Sequence, residues 1–336
     1  MTQVLRFSKP VQRLLGLALL GACAQAMAQA DPAVVFDMGG KFDKSFNQSA
    51  YEGAEAYKKA TGKKYAEFTM TNEGQREQAL QKLAQSGKNP IVTVGFGGAA
   101  SMEKVAPLFA KTQFYIIDMV VEKPNVKSIV FREQEGSFLV GALAALKSTT
   151  GKVGFVGGMD IPLIRRFACG YEQGAKFVNP KAEVFSNMTG TTPAAWNDPT
   201  KGGELARSQM DRGADVIFAA AGGTGMGVFQ AVKDAKKFAI GVDSNQNYVH
   251  PGTILTSMVK RVDVAVQNAF NDGAKGAPSA GITSLGLKEG GIDWALDQHN
   301  RALVTKAMEE RVNQIKADIV SGKIKVIDYM AKNECK

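Results

Sequence analysis

The sequence is poor in the residues from which metal sites and nucleophilic active sites are most often built. It contains only 2 histidines and 3 cysteines in 336 residues. Neither His250 nor His299 stands in a recognisable metal-ligand pattern, and no serine lies in a G-x-S-x-G motif. We therefore expect a protein that binds its ligand without turnover, with no catalytic residues, no metal and no cofactor.

The chain also lacks a block of like charges. Its formal net charge is +9, and removal of residues 1–30, which carry three basic and no acidic residues, would leave +6. The remaining basic residues are spread along the chain, so nucleic acid is not expected as a partner. Hydrophobic residues make up 45% and charged residues 22%, which is ordinary for a soluble globular protein.

The first thirty residues have the pattern of an export signal. Basic residues at positions 6, 9 and 13 precede an apolar run over residues 14–28, which is too short to span a bilayer and ends in the small-residue site Ala28-Gln29-Ala30. We expect a signal peptide over residues 1–30 and a periplasmic product. An alternative stays open, because Leu20-Gly21-Ala22-Cys23 fits a lipoprotein signal in which Cys23 would carry a lipid anchor.

Whichever cleavage occurs, Cys169 and Cys335 are the only thiols left to pair, because a lipoprotein signal would acylate Cys23. Because export leads to an oxidising compartment, Cys169 and Cys335 are a plausible disulfide that would fix the carboxyl-terminal tail. The alternative is two unpaired thiols, with Cys169 buried on its helix.

Apolar, β-branched runs alternate with segments of helical period, which predicts an α/β fold with two doubly wound parallel-sheet lobes. After residue 243 the alternation changes, with a strand at 254–259, a helix from 262 to about 271, a Gly/Pro/Ala-rich linker at 273–281 and a final helix at 302–321. Such a tail suits a chain that recrosses between the lobes and forms a hinge of several strands. The predicted strands are residues 34–38, 65–70, 91–96, 114–118 and 128–131, then 153–157, 183–188, 216–220 and 239–243.

This organisation predicts the domain boundaries. The N-terminal lobe comprises residues 31–131 plus about 259–285, and the C-terminal lobe comprises residues 132–258 plus about 286–336. The ligand cleft is expected between the lobes, because open α/β sheets bind ligands at the carboxyl ends of their strands.

Polar residues and glycines recur at these strand ends. The stretch DMGGKFDKSFNQSAYEG, residues 37–53, places a carboxylate after the first strand and an aromatic ring with an amide at the start of a helix. For each residue alone, a capping or turn role is the better interpretation, but their convergence on one side of two sheets favours a binding site. The residues are Asp37, Phe46, Asn47 and Asp118 in the first series, and Trp196, Gly222, Gly223, Asp243 and Lys260 in the second.

One motif suggests a different ligand. Residues 95–100, GFGGAA, match the dinucleotide pattern G-x-G-x-x-A, and Asp118 ends the next strand. The motif follows the third strand rather than the first, and an exported protein has no NAD pool. We therefore interpret it, like the GGTGMG stretch at 222–227, as a helix start where backbone approaches a ligand.

Five segments together carry a family resemblance. DMGGKFDKSFNQSAYEG, GTTPAAWNDPTKGGELA, AAAGGTG, GVDSNQNYVHPG and TSMVKRVD occur in this order, and the resemblance runs over residues 33–330. The chain resembles the basic membrane protein family of PnrA-like proteins, the substrate-binding components of ABC importers for purine nucleosides. The resemblance implies a type I periplasmic binding protein fold, a membrane permease as partner, and a monomer.

It also implies roles for the site residues. A purine base would lie between two aromatic rings, one from each lobe, although the family more often has Phe where this chain has Trp. Carboxylate and amide groups would read the base edge, and a second carboxylate with a lysine and two backbone groups would bind the ribose. The rings are Phe46 and Trp196; the base readers are Asp118 with Asn47 or Ser45, with Asp37 as a further contact; the ribose set is Asp243, Lys260, Gly222 and Gly223.

Other functions stay open at this point. The same scaffold could bind a sugar, a free base or a signalling molecule, and it could serve as a sensor domain for a receptor. A periplasmic nucleoside hydrolase, in which Asp37 and Asp43 would hold calcium, is the alternative from the class of enzymes.

Overall fold

A computed structural model describes residues 31–275 and 280–335, so the predicted signal peptide and Cys23 lie outside the described residues. The chain folds into two six-stranded sheets flanked by helices, which confirms the predicted α/β class with two lobes. The strands are β1 Ala33–Phe36, β2 Ala66–Thr69, β3 Ile91–Thr93, β4 Phe114–Ile117, β5 Val126–Phe131, β6 Lys152–Met159, β7 Glu183–Gly190, β8 Val216–Ala220, β9 Phe238–Asp243, β10 Ile254–Lys260, β11 Gly281–Leu285 and β12 Ile292–Trp294.

The helices cover both faces of each sheet. They are α1 Phe46–Thr61, α2 Gln75–Gln85, α3 Ala99–Val105, α4 Glu133–Lys147, α5 Pro162–Val178, α6 Pro199–Asp211, α7 Gly225–Asp234, α8 Val262–Ala274, α9 Lys306–Val320 and α10 Tyr329–Lys332. Strands β1, β4 and β8 are buried at every position. A parallel strand with helices on both sides has neither face exposed to solvent. These segments are therefore continuous apolar runs in the sequence, without alternating polar and apolar residues.

The two sheets have corresponding strand orders. The first sheet is β11-β5-β4-β3-β1-β2 and is parallel throughout. The second is β12-β10-β9-β8-β6-β7, in which only β12 runs antiparallel to its neighbour. The late strands β10, β11 and β12 are therefore divided between the sheets.

The chain passes between the sheets three times, after β5, after β10 and after β11. The crossings are tied to each other, because Arg132 N donates to Leu285 O at 2.9 Å and Arg261 N donates to Gly291 O at 2.8 Å. We propose these crossings as the boundaries of a first lobe, residues 31–131 with 262–285, and a second lobe, residues 132–261 with 286–335. The second crossing follows Lys260, slightly later than the boundary expected from the sequence.

The final long helix begins later than the sequence pattern suggested. We expected it to start at residue 302, but α9 starts at Lys306, where the Thr305 hydroxyl accepts a hydrogen bond from Met308 N. The residues before it form turns around the buried Asn300, whose amide donates to Leu255 O and Ala295 O at 2.9 Å each. These hydrogen bonds within the second lobe outweigh the helical preference of the local sequence.

Cys169 and Cys335 form a disulfide in the structure, with their Cα atoms 5.5 Å apart and 166 positions between them in the sequence. Cys169 lies on α5, so the bond fastens the carboxyl-terminal end of the chain to that helix.

The disulfide should stabilise the fold measurably. We expect the double variant Cys169→Ser/Cys335→Ser to lose about 2–5 kcal/mol of unfolding free energy, because the bond closes a long loop in the unfolded chain. Denaturant unfolding of oxidised wild type, reduced wild type and the variant would measure the loss. Reduced wild type should match the variant, and equal stability of all three proteins would contradict the prediction.

Candidate ligand-binding cleft

A cavity of about 580 Å³, counting open solvent at its mouth, lies between the two lobes at the carboxyl ends of the strands. Both lobes contribute to its wall. The first lobe supplies Asp37, Met38, Asp43, Phe46, Asn47, Gly95, Phe96 and Asp118, and the second supplies Leu163, Ile164, Phe167, Trp196, Ala220, Ala221, Gly222, Val242, Asp243 and Lys260.

Most of the residues singled out from the sequence line this cavity. Ser45 and Gly223 are the two that do not. Ser45 is fully buried, and its hydroxyl donates to Asp243 Oδ2 at 2.6 Å, so it supports a wall residue from behind. Gly223 is buried in the short helix Gly222–Thr224 that precedes α7.

Four aromatic side chains line the cavity, Phe46 and Phe96 from the first lobe and Phe167 and Trp196 from the second. Phe46 and Trp196 are the two that the sequence analysis singled out. Phe46 is the first residue of α1, and Trp196 ends the short helix Pro193–Trp196. The indole packs directly over Gly158, where a Cβ atom would lie 2.2 Å from the ring. Any larger residue at position 158 would displace Trp196, so the glycine sets the position of this wall.

Asp43 positions the start of α1, and sequence reasoning considered it only as a calcium ligand. Its carboxylate accepts hydrogen bonds from the backbone N–H groups of Ser45, Asn47 and Gln48 at 2.8–3.1 Å. Burial raises its pKa to about 6, although these N–H donors favour the ionised form. The cap fixes Asn47, whose Oδ1 accepts from Asp37 N at 2.8 Å.

Asp37 is held by an arginine that the sequence analysis did not identify. Arg76 is 1% exposed, and its Nη2 donates to Asp37 Oδ1 and to Glu73 Oε1 at 2.8 Å each. Burial nevertheless raises the pKa of Asp37 above its ordinary value. In the described ranges 31–275 and 280–335, no cluster of three or more His, Cys, Asp or Glu side chains could hold a metal ion.

The centre of the site is a buried lysine among carboxylates. Lys260 Nζ lies 2.6 Å from Asp118 Oδ2 and 3.1 Å from Glu133 Oε1. Burial raises the pKa of Asp118 to about 7 even beside this ammonium, and burial also raises that of Asp243. Burial alone would lower the pKa of Lys260, but the carboxylates of Asp118, Glu133 and Asp243 raise it, so the lysine stays charged.

One oxygen of this cluster has no partner. Asp118 Oδ1 is buried and makes no hydrogen bond to any residue in the described part of the chain. A buried carboxylate oxygen without a donor is costly, so this atom favours a ligand that presents an N–H or O–H group.

The sequence profile of a known family matches residues 30–328. That family is described as ABC transporter substrate-binding protein, PnrA-like. The chain belongs to this family. The match covers both lobes that form the cleft, apart from residues 329–335 of the second.

Individual relatives support the same family assignment. This chain is 31% identical to the ABC transporter nucleoside-binding protein BmpA of Lactococcus lactis, over 91% of each chain. It is 37% identical to an uncharacterized lipoprotein of Pyrococcus horikoshii, over 79% of this chain and 69% of that protein. Among solved structures, an ABC transporter solute-binding protein of Aeropyrum pernix is 33% identical, with a TM-score of 0.81, and the match covers 89% of this chain and 93% of that chain.

Membership of the family gives the general role. Substrate-binding proteins of ABC importers work outside the cytoplasm, where they bind a small ligand and a membrane permease. No helix in residues 31–275 or 280–335 is both long and apolar enough to cross a bilayer.

The wall at Asp37 depends on a glycine. Gly95 has a φ of +94°, and a Cβ there would lie 1.8 Å from Asp37 Oδ2. We expect Gly95→Ala to cost about 3 kcal/mol or more, from backbone strain and from displacement of the carboxylate. Denaturant unfolding would measure the loss.

Gly40→Ala is the matched control, because Gly40 also has a positive φ, +87°, but a Cβ added there would meet no atom of the described chain within 4 Å. It should cost only about 1–2 kcal/mol. Equal losses in the two variants would show that the contact with Asp37 has no effect.

Proposed function

We propose that this protein binds purine nucleosides in the cleft between its lobes and delivers them, as a periplasmic monomer, to an ABC permease in the inner membrane. The observation that supports this most directly is the composition of the cavity. Aromatic rings from both lobes line it, Phe46 and Trp196 among them, together with the unpaired oxygen of Asp118.

The aromatic rings suit a flat base. Phe46 and Trp196 present π surfaces from the first and the second lobe, and a base stacks on such surfaces whatever its substituents. A sugar would need one ring at most, so the pair favours a nucleobase. Trp196 offers a larger face than a phenyl ring, which changes the contact area rather than the mode of binding.

The polar groups suit the rest of a nucleoside. Asp118 Oδ1 would accept from an N–H group on the base edge, and we assign Asn47 and Asp37 to the same edge. Asp243 and Lys260, with the backbone at Gly222, would bind the ribose hydroxyls, since a carboxylate accepts from a hydroxyl and an ammonium donates to it.

The lobes touch each other beside the cavity. Ser45 Oγ donates to Asp243 Oδ2 at 2.6 Å, Ser244 Oγ donates to Ser45 O at 2.8 Å, and Gln246 Nε2 donates to Lys44 O at 2.9 Å. These hydrogen bonds connect the two lobes at the edge of the cavity. We infer that a ligand between Phe46 and Trp196 favours this arrangement and that the permease recognises it.

The two carboxylates that a calcium-dependent hydrolase would need are already engaged by other groups of the protein, which supports binding without turnover. Asp43 is engaged by the N–H groups at the start of α1, and Asp37 is paired with Arg76. Neither is left free to hold calcium and activate water. Analysis of the products after incubation with inosine tests this directly, and release of a free base would establish an enzyme instead.

Stacking should dominate the affinity. We expect calorimetry to detect tight binding of inosine, guanosine or adenosine, and Phe46→Ala to weaken it by about 5- to 150-fold, because a base loses about 1–3 kcal/mol when a stacking ring is removed. Asp243→Ala should also weaken binding strongly, through loss of a charge-assisted hydrogen bond.

Phe42→Ala is the matched control, since Phe42 is 63% exposed, lies four residues from Phe46 and does not line the cavity. Its affinity should equal that of the wild type. Flat titrations with every nucleoside would refute the proposal, and native mass spectrometry would then reveal whether a sugar, a free base or another molecule is bound.

The affinity should also depend on pH through Asp118. A ligand N–H group stabilises the ionised carboxylate, so its pKa in the complex falls below the value of about 7 in the free protein. Binding therefore releases a proton at low pH, and the affinity should fall by up to about tenfold per unit as pH decreases below 7. Calorimetry between pH 5 and pH 8 measures this profile.

Asp118→Asn provides the comparison, because it removes the group that titrates near pH 7 and should remove the fall in affinity between pH 7 and pH 6, above the range in which Asp43 titrates. An affinity that rises toward low pH in the wild type would mean that Asp118 binds the ligand in its protonated form.

A further inference from the structure

A chain of ion pairs, buried at Lys260 and Glu133 and partly exposed at Asp328, connects the cleft to the carboxyl-terminal end of the protein. We propose that Glu133 and Arg166, neither of which lines the cavity, are positioning residues that hold Lys260 in the ligand site, and that Asp328 anchors them from the carboxyl-terminal segment, residues 321–335. The ligand in this inference is the one given by the proposed function. One of the two measurements that test the inference needs no ligand.

Glu133 divides its two oxygens between two cations. It is fully buried, with Oε1 accepting from Lys260 Nζ at 3.1 Å and Oε2 accepting from Arg166 Nη1 at 2.9 Å. Glu133 is the first residue of α4, directly after the first crossing between the lobes. A carboxylate that is fixed at this point holds the lysine from behind the wall of the cavity.

The shared ammonium leaves a donor for the ligand. An ammonium group has three N–H donors, of which Asp118 takes one and Glu133 another. Without Glu133, Asp118 would be the one carboxylate still hydrogen-bonded to Lys260 in the described part of the chain, so the ammonium would hold more firmly the carboxylate that the ligand needs. Glu133 therefore controls both the direction of the remaining N–H and the availability of Asp118.

Arg166 is fixed on three sides. Its Nη1 donates to Phe131 O at 2.9 Å as well as to Glu133, and its Nε and Nη2 form a two-pronged pair with the Asp328 carboxylate at 2.8 and 2.9 Å. A planar guanidinium held in this way cannot rotate away from Glu133. The same helix, α5, supplies Phe167 to the cavity wall.

The carboxyl-terminal segment is fastened to α5 around this arginine. Gln173 on α5 accepts from Ile327 N at 2.8 Å and donates to Ile327 O at 3.1 Å, next to Asp328. The Cys169–Cys335 disulfide closes the far end of the segment on the same helix. These attachments bring the Asp328 carboxylate to Arg166, so the segment contributes a charge to the support of the ligand site.

The test compares two aspartates that pair with neighbouring arginines on α5. Asp328 pairs with Arg166, and Asp160 pairs with Arg165 in the same two-pronged way at 2.7 and 2.8 Å. The two carboxylate side chains are 30% and 29% exposed. Only the first pair continues to a buried carboxylate and to Lys260, so Asp160→Asn is the matched control for Asp328→Asn.

We expect Asp328→Asn to weaken nucleoside binding by about two- to tenfold, in the range found for residues that act on a site through others. Asp160→Asn should bind as the wild type does. Glu133→Gln should weaken binding by about tenfold or more, because it leaves the buried ammonium with one carboxylate fewer. Denaturant unfolding of each variant separates a local effect from general loss of structure, which would lower the active fraction and not the affinity.

A second readout needs no nucleoside. In protein labelled with ¹⁵N-lysine, the side-chain ammonium signal of Lys260, assigned by its loss in Lys260→Met, should shift in Glu133→Gln and in Asp328→Asn but not in Asp160→Asn. If these shifts occur while wild type binds no nucleoside, the positioning inference stands and the ligand assignment fails. Signals and affinities in Asp328→Asn that match the wild type would overturn the inference.

Discussion

The structure of the cleft depends on the pairing of one buried lysine. Lys260 lies at the end of β10 in the second lobe, yet its partners are Asp118, from the first lobe, and Glu133, from the crossing between the lobes. A buried charge costs several kcal/mol unless opposite charges surround it, and removing one partner leaves the others uncompensated. The ion pairs therefore connect both lobes and the first crossing between them, beside the cavity.

This constraint explains why the wall of the cleft is mixed in character. The aromatic rings supply area, but they cannot determine which way a ligand lies, because stacking tolerates rotation about the ring normal. Charged side chains and N–H groups that the protein holds in place remove this freedom of the ligand to rotate. Asp43, Arg76 and Glu133 hold Asn47, Asp37 and Lys260 of the cavity wall, respectively, through contacts of 3.1 Å or less, and the orientation of these wall residues depends on the contacts.

The sequence predicted the parts of this arrangement that are local. Alternating apolar runs and helical segments predicted two parallel sheets, and the stretch from Asp37 to Asn47 predicted polar and aromatic residues at a strand end and a helix start. The ion pairs that hold residues of the cavity wall could not be predicted, because their members are far apart in the sequence. Arg76 lies 39 positions from Asp37, and Glu133 lies 127 positions from Lys260. Nothing in their local sequence distinguishes them from ordinary helix-surface charges. The start of α9 was mispredicted for the same reason, since hydrogen bonds from Asn300 to distant carbonyls decide it.

The two lobes use the same unusual backbone conformation to present their carboxylates. Asp118 directly follows β4 and Asp243 ends β9, and both adopt a positive φ, +70° and +62°. This region costs a residue with a Cβ about 1–2 kcal/mol, and glycine would adopt it without strain. Glycine would also remove the carboxylate. The strain occurs at equivalent places in two lobes, and in each it turns an acceptor toward the cavity at the end of a buried strand. Each carboxylate has a partner within the protein, Lys260 for Asp118 and the Ser45 hydroxyl for Asp243, so the contacts of the carboxylate offset the backbone strain and explain why glycine does not occupy these positions.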